Sequence, residues 1–170
     1  GGSPDLCEVA RRSRELGALV VAVTNTSESP LAHESDFTLD VMAESERAVA
    51  ATKSYSAQLL TLRLLMDAIA ETSTEGLEWI VDAAYAATSL EEKWRDSASF
   101  FSDADRLVVT GRGYHFPTAL EAALKIMETS YLPAQAFSAA DLLHGPMAMV
   151  DGDTHALALC PDGLANDAMR

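Results

Sequence analysis

Short runs of strand-forming residues keep returning between stretches of helical periodicity, and that alternation constrains this chain more than any other feature. Ala18 to Val23 is continuously apolar; Phe37 to Val41, Arg106 to Thr110, Ala134 to Phe137 and His155 to Cys160 are the other short runs. A continuous apolar run such as Ala18 to Val23 reads as a strand covered on both faces. Helix signals fill the intervals. Ser3-Pro4 opens a helix with proline in its first turn, running to about Glu15, and Gly17 stands where such a helix closes. From Ser45 to Ala70 the residues Leu59, Leu62, Leu65, Met66 and Ile69 form an apolar stripe, until Thr72 to Gly76 breaks the pattern. Leu77 to Phe101 reads as one helix with Trp79, Ile80, Ala83 and Ala87 on one face, and Pro117 opens another to about Tyr131. Leu142 to Val150 reads as a loop with a helical turn, and Pro161-Asp162-Gly163 closes the last strand. Such alternation through short loops predicts an α/β fold with mainly parallel sheets. The strand–turn–helix unit occurs near both ends with two helices between, which predicts parts of two α/β domains joined through Ser73; one small α/β domain is the simpler alternative.

Charge narrows the partners. Asp and Glu number 26 against 12 Lys and Arg, a net charge of −14. That excludes DNA, RNA and anionic membranes as expected partners, because such binding is driven by cationic contacts to phosphate. No apolar run reaches the roughly 20 residues of a membrane helix. Two cysteines, Cys7 and Cys160, are too few for a disulfide framework or a zinc cluster and suit a reducing cytoplasm.

Parallel sheets receive ligands beyond the C-terminal ends of their strands, where helix N-termini present free N–H groups. Gly1-Gly2-Ser3, Thr24 to Ser29 and Gly111-Arg112-Gly113 fall there. Glycine lets backbone approach an anion and Ser3 adds a hydroxyl, although the same pattern serves an ordinary N-cap. Gly111-Arg112-Gly113 is half of a dinucleotide fingerprint, with Phe116 where the third glycine belongs. The segment AVAATKSYSAQ, Ala48 to Gln58, clusters Thr52, Lys53, Ser54 and Ser56; it suits a ligand or a packed helix start.

On the helix after Pro117, the residues Leu120, Leu124, Met127 and Tyr131 define a core stripe, and Glu121, Lys125 and Glu128 run one step round from it. Three ionisable groups at the edge of a buried face suit proton transfer; an exposed i,i+4 salt bridge of about 0.3–0.5 kcal/mol is the structural alternative. His144 stands in a tight turn with Gly145-Pro146. His33, His115 and His155 show no metal spacing and read as structural or solvated.

The segments GGSPDL, ALVVAVTN, AVAATKSYSAQL and, above all, GRGYHFPTALEAALKIMETSYLPAQAFSAADLLHGPMAMV carry a family resemblance. The chain resembles the tandem sugar isomerase (SIS) domain proteins, in particular the isomerase half of glucosamine-fructose-6-phosphate synthase and the related glucosamine-6-phosphate deaminases. The resemblance covers most of the chain and is weakest from Glu71 to Ser99. It implies a three-layer SIS-type α/β fold: the C-terminal part of a first SIS domain at 1–72, a linking helix at 73–102 and the N-terminal part of a second at 103–170. It further implies a substrate that is a phosphosugar, with Ser3 binding the phosphate and Gly1-Gly2 closing the same loop. Val49, Ala51, Thr52 and Lys53 match a segment lining the sugar pocket. Glu128 matches the carboxylate that moves a proton between C1 and C2, Lys125 a lysine beside it and Glu121 a further acid. His144 matches a histidine that assists ring opening from the neighbouring subunit, which implies a homodimer. The chemistry requires no metal or organic cofactor.

Departures accompany the likeness. The family's serine-rich loops ahead of GGSPD and its C-terminal lysine segment have no counterpart in this sequence, nor does a glutaminase domain. The nitrogen partner, glutamine or ammonia, therefore stays open. Ala51 and Met127 replace more polar residues common in the synthase, so the specificity stays open too. A sugar-phosphate-sensing SIS module is the non-enzymatic alternative; it would need Ser3 but not Glu128 or His144.

Overall fold

Pro4 supplies a fixed φ for the first turn of α1 (Pro4–Glu15), and Gly17, at φ 85°, lets the chain turn away beyond its end. That is the start of a computed structural model that describes residues 1–160; the closing turn expected at Pro161-Asp162-Gly163 lies outside them. Two compact units, Gly1–Val81 and Asp82–Arg170, divide the chain. Both carry parallel sheet, so the α/β fold with parallel sheets is the fold found.

In the first unit, β1 (Val21–Thr24) pairs in parallel with β2 (Phe37–Asp40), Val21 opposite Phe37 and Thr24 opposite Asp40. The short α2 (Pro30–His33) lies between them in sequence, its first turn capped by the Ser29 hydroxyl, which accepts from Ala32 N–H. The buried apolar side chains are small: Ala10, Ala22, Ala32, Val41 and Ala50. The expectation of a strand from Ala18 buried on both faces is corrected: the strand begins at Val21, and Leu19 and Val21 are exposed. Among the described residues β1 has β2 as its one ladder partner, so little sheet is available to cover it.

The third helix, α3 (Lys53–Ile69), starts eight residues later than its apolar pattern suggests. Met42 and Glu44 hold left-handed backbone conformations, and 41–52 runs as a loop instead. Of the expected apolar stripe, Leu59, Leu62, Met66 and Ile69 are exposed.

The single helix expected from Leu77 to Phe101 is two, α4 (Trp79–Thr88) and α5 (Glu91–Ala98), followed by a 3-10 turn at Ser99–Phe101. Thr88 and Ser89 donate their hydroxyls to Tyr85 C=O, a side-chain competition that ends the helix. Trp79, expected on one face with Ile80, Ala83 and Ala87, is exposed.

In the second unit the strand order is β4-β3-β5, all parallel: β3 (Leu107–Gly111) in the centre, β4 (Ala134–Ser138) and β5 (His155–Leu159) beside it. Central β3 is buried throughout, which matches its apolar run. A helix, α6 (Phe116–Ser130), packs across β3 and β4 with Ala119 and Ala123, forming one cluster with Leu107, Val109 and Ala134. The expected stripe of Leu120, Leu124, Met127 and Tyr131 is therefore corrected, because all four are exposed. Alanine lets the helix approach the sheet closely, and the larger residues turn outward. The short α7 (Ala139–Leu142) leads into the turn of His144.

Candidate functional site

The candidate residues fall in both units. In the first, Gly1 lies against the C-terminal end of β1. A Cβ added there would sit 2.2 Å from Ser29 Oγ and 2.8 Å from Thr24 Oγ1, so only glycine fits. Gly1 C=O accepts from Leu31 N–H at 3.0 Å, which ties the loop to α2. Gly2 is open on the side where a Cβ would point. Ser3 occupies the N-cap position of α1, but its hydroxyl makes no capping bond; its carbonyl accepts from Cys7 N–H instead. The ordinary hydroxyl N-cap is thus not the role Ser3 plays here.

Beyond β2 the chain is held to the end of β1 by side-chain amide and backbone together. Val41 N–H donates to Thr24 C=O at 3.1 Å, and Ala43 N–H donates to Asn25 Oδ1 at 2.9 Å. Asn25 Nδ2 in turn donates to Glu44 C=O. Past this anchor Val49 is fully exposed, Ala50 is buried, Ala51 is half-buried, and Thr52 and Lys53 are exposed at the start of α3. Thr52 makes no side-chain capping bond. That task falls to Glu46, whose Oε2 accepts from Ser54 N–H at 3.2 Å and Ser54 Oγ at 3.0 Å. Burial alone would raise the Glu46 pKa, but the bonds from Ser54 and the nearby Lys53 charge together hold the carboxyl below its usual range. Sequence reasoning missed both Asn25 and Glu46. The signal was modest: an acid shortly ahead of a hydroxyl-rich helix start lacking a capping side chain.

In the second unit the three ionisable groups of α6 do meet. Lys125 Nζ lies 2.6 Å from Glu128 Oε2 and 3.5 Å from Glu121 Oε1. Their side chains keep only 20% (Lys125), 22% (Glu121) and 33% (Glu128) of their exposure. The Glu128 hydrogen bond, aided by Glu121 and opposed by burial, raises the Lys125 pKa, so Lys125 stays cationic. At about 100° per residue these three lie roughly opposite Ala119 and Ala123, rather than at the edge of the packed face. Half-buried carboxylates next to a permanent cation can take up and return a proton without the helix moving.

His144 is exposed, its N–H donating to Asp141 C=O at 2.9 Å, and Gly145 beside it holds φ 132°. Among the described residues nothing hydrogen-bonds its ring. His155, by contrast, is built in: its ring meets those of Phe100 and Phe101 at centroid distances of 5.7 and 5.9 Å. Its Nδ1 is buried without a partner and its Nε2 lies 3.6 Å from Asp103.

Hollows among the described residues lie elsewhere. One, mainly apolar, is lined by Trp94, Phe101, Leu107, Ile126 and Tyr131; another lies among Arg11, Arg14, Glu34 and Asp36. Neither is lined by a candidate site residue. No described helix is long and apolar enough to cross a membrane.

Comparison with known proteins identifies the family of the chain. The SIS domain family model matches residues 1–68 and 100–170. The glutamine–fructose-6-phosphate aminotransferase (isomerizing) of Symbiobacterium thermophilum is 36% identical over 94% of this chain, which spans 28% of that relative's length. The C-terminal domain of glucosamine-fructose-6-phosphate aminotransferase from Francisella tularensis superposes with a TM-score of 0.88 at 31% identity, over 95% of this chain and 48% of that one. Glucosamine-6-phosphate deaminase from Thermotoga maritima superposes at 0.72 and 32% identity, over 88% of this chain and 46% of that one.

Proposed function

This chain belongs to the SIS domain family, and on that premise we propose that it is part of an enzyme acting on an amino-sugar 6-phosphate. The reaction interconverts aldose and ketose while nitrogen leaves or enters at C2. The observation that carries the reading is the meeting of Glu121, Lys125 and Glu128 on α6. A lone helical salt bridge needs two of these groups; a third, half-buried carboxylate on the same cation suits proton transfer better.

In the deaminating direction His144 opens the sugar ring by proton exchange between the ring oxygen and the C1 hydroxyl. Glu128 then removes the proton from C2, giving an enolamine, and returns it to C1, leaving a C2 imine. Water adds to the imine, ammonia departs and fructose 6-phosphate remains. Lys125 holds Glu128 in place and offsets negative charge as it develops; Glu121 shares that cation. Ser3 with Gly1-Gly2 binds the phosphate, and Val49, Ala51, Thr52 and Lys53 line the sugar. Binding energy from the phosphate, remote from C1 and C2, holds the open chain in reactive geometry. The enzyme we propose is a cytoplasmic homodimer in which His144 serves the neighbouring subunit, and the chain comprises parts of two tandem SIS domains with a linker at 73–102.

The test is to incubate the full-length protein with glucosamine 6-phosphate, without glutamine, and to measure ammonia and fructose 6-phosphate together. Equal release of both supports the reading. Sugar-phosphate binding without turnover, with or without glutamine, replaces it with a sensor.

A further inference from the structure

The loop that carries Val49, Ala51, Thr52 and Lys53 is closed by a carboxylate that none of those residues supplies. Glu46 stands before all four in the chain, and Ser54, which it grips, follows all four. One oxygen, Oε2, takes both the Ser54 amide and the Ser54 hydroxyl. Without it α3 would open with its first amides unpaired, since the Thr52 hydroxyl makes no capping bond. The loop is also held from the other side. Asn25 grips Ala43 and Glu44, while Met42 and Glu44 are held at φ 54° and 56°, a conformation that non-glycine residues rarely adopt. Between the two clasps Ala50 turns inward and Val49 outward. Lys53 sits at the positive end of the α3 dipole, an unfavourable place for a cation that the nearby Glu46 carboxylate offsets.

We propose that Glu46 is a positioning residue: by closing residues 46–54 into one loop it holds Val49, Ala51, Thr52 and Lys53 in the shape that receives the sugar phosphate. This role rests on the reading of the preceding subsection. Glu46 touches no reacting atom, so its loss weakens binding more than turnover.

The test compares the two ends of one helix in the full-length protein. Asp67, near the end of α3, accepts from Arg63 Nε at 2.7 Å and from the Thr72 hydroxyl at 3.0 Å, a purely structural clasp. Glu46→Ala is expected to raise KM for glucosamine 6-phosphate on the order of tenfold, the worth of one charge-assisted hydrogen bond, with a far smaller change in kcat. Asp67→Ala is expected to lower the thermal midpoint and leave KM alone. Glu46→Gln keeps one oxygen able to accept both Ser54 bonds and should restore most of the loss. Should Glu46→Ala fail to fold, Ser54→Ala removes the hydroxyl donor alone and is expected to raise KM by a smaller factor. An unchanged KM in folded Glu46→Ala or, where that variant does not fold, in Ser54→Ala overturns the proposal, as does a KM shift that Asp67→Ala reproduces. Calorimetric titration of the unmutated protein with glucosamine 6-phosphate separates the two failures. If that protein binds no sugar phosphate, the functional reading falls and this role with it; if it binds and Glu46→Ala binds equally well, this role alone falls.

Discussion

The two longest helices, α3 and α6, spend their carboxylates differently. At the two ends of α3, Glu46 is tied to the Ser54 amide and Asp67 to Arg63 and Thr72. The neighbouring strand ends follow the same habit, with Asp36 accepting from Val20 N–H and Asp40 from Met42 N–H. On α6, Glu121 and Glu128 meet only the ammonium of Lys125, and no backbone amide reaches either among the described residues. A carboxylate bound to amides or a guanidinium is a fixture, because moving its proton breaks the local backbone geometry. A carboxylate on a flexible lysine can exchange a proton while the helix stays intact. The contrast marks which acids hold the fold and which are free for chemistry.

The largest effect that can break this contrast lies at Glu128. Glu128→Gln keeps the shape and the Lys125 contact but removes the base. It is expected to lower kcat about 10²- to 10⁴-fold, the range for one general acid–base group, while glucosamine 6-phosphate affinity stays nearly unchanged. Retained turnover would end its assignment. His144, whose ring none of the described residues hydrogen-bonds, comes next. His144→Ala is expected to slow turnover on the order of 10²-fold on the cyclic sugar. A 5-deoxy analogue, which cannot close the six-membered ring, should lose much less; equal losses on both substrates would remove the ring-opening role.

The opposite face of α6 sharpens the same point. Ala119 and Ala123 bear the packing against β3 and β4, so Ala123→Leu is expected to cost about 1–3 kcal/mol by overpacking. Urea unfolding measures the loss, and kcat of the folded fraction should be spared. A fall in kcat without a loss of stability would show that the two faces are not independent.

This division of α6 was only half legible in its sequence. The spacing of Glu121, Lys125 and Glu128 requires that they share a helix face, and they do. On this helix side-chain size does not mark the packed face. Leu120, Leu124 and Met127 outweigh Ala119 and Ala123 in apolar area, yet a helix laid closely on a sheet needs its smallest residues at the contact. Alternation of strands and helices gave the parallel sheets, since each short apolar run must find a ladder. Helix boundaries were lost wherever side chains bonded backbone: Thr88 and Ser89 ended α4, and Glu46 delayed α3. Those bonds depend on positions in space that periodicity does not encode.

Asp151 provides the smallest test of the contrast, because it is an anchored acid in the same unit as α6. It pairs with Arg106 and accepts from the Thr154 hydroxyl at 2.7 Å and from Asp153 N–H at 3.2 Å, clasping the turn that leads into β5. The Arg106 guanidinium foremost, with Thr154, holds its pKa down from 3.8 to about 2. Since the folded value lies below the unfolded one, its contribution is complete above about pH 4 and disappears as pH falls through about 2. Asp151→Asn should therefore be less stable than the unmutated chain at neutral pH, by a margin that is constant down to about pH 4 and closes toward pH 2. Because both partners are about half exposed, added salt should shrink that margin. Stability measured by urea unfolding across this pH range decides it. A margin independent of pH would mean that Asp151 acts by shape alone, and ionised anchoring would then fail to separate the acids of the fold from those of α6.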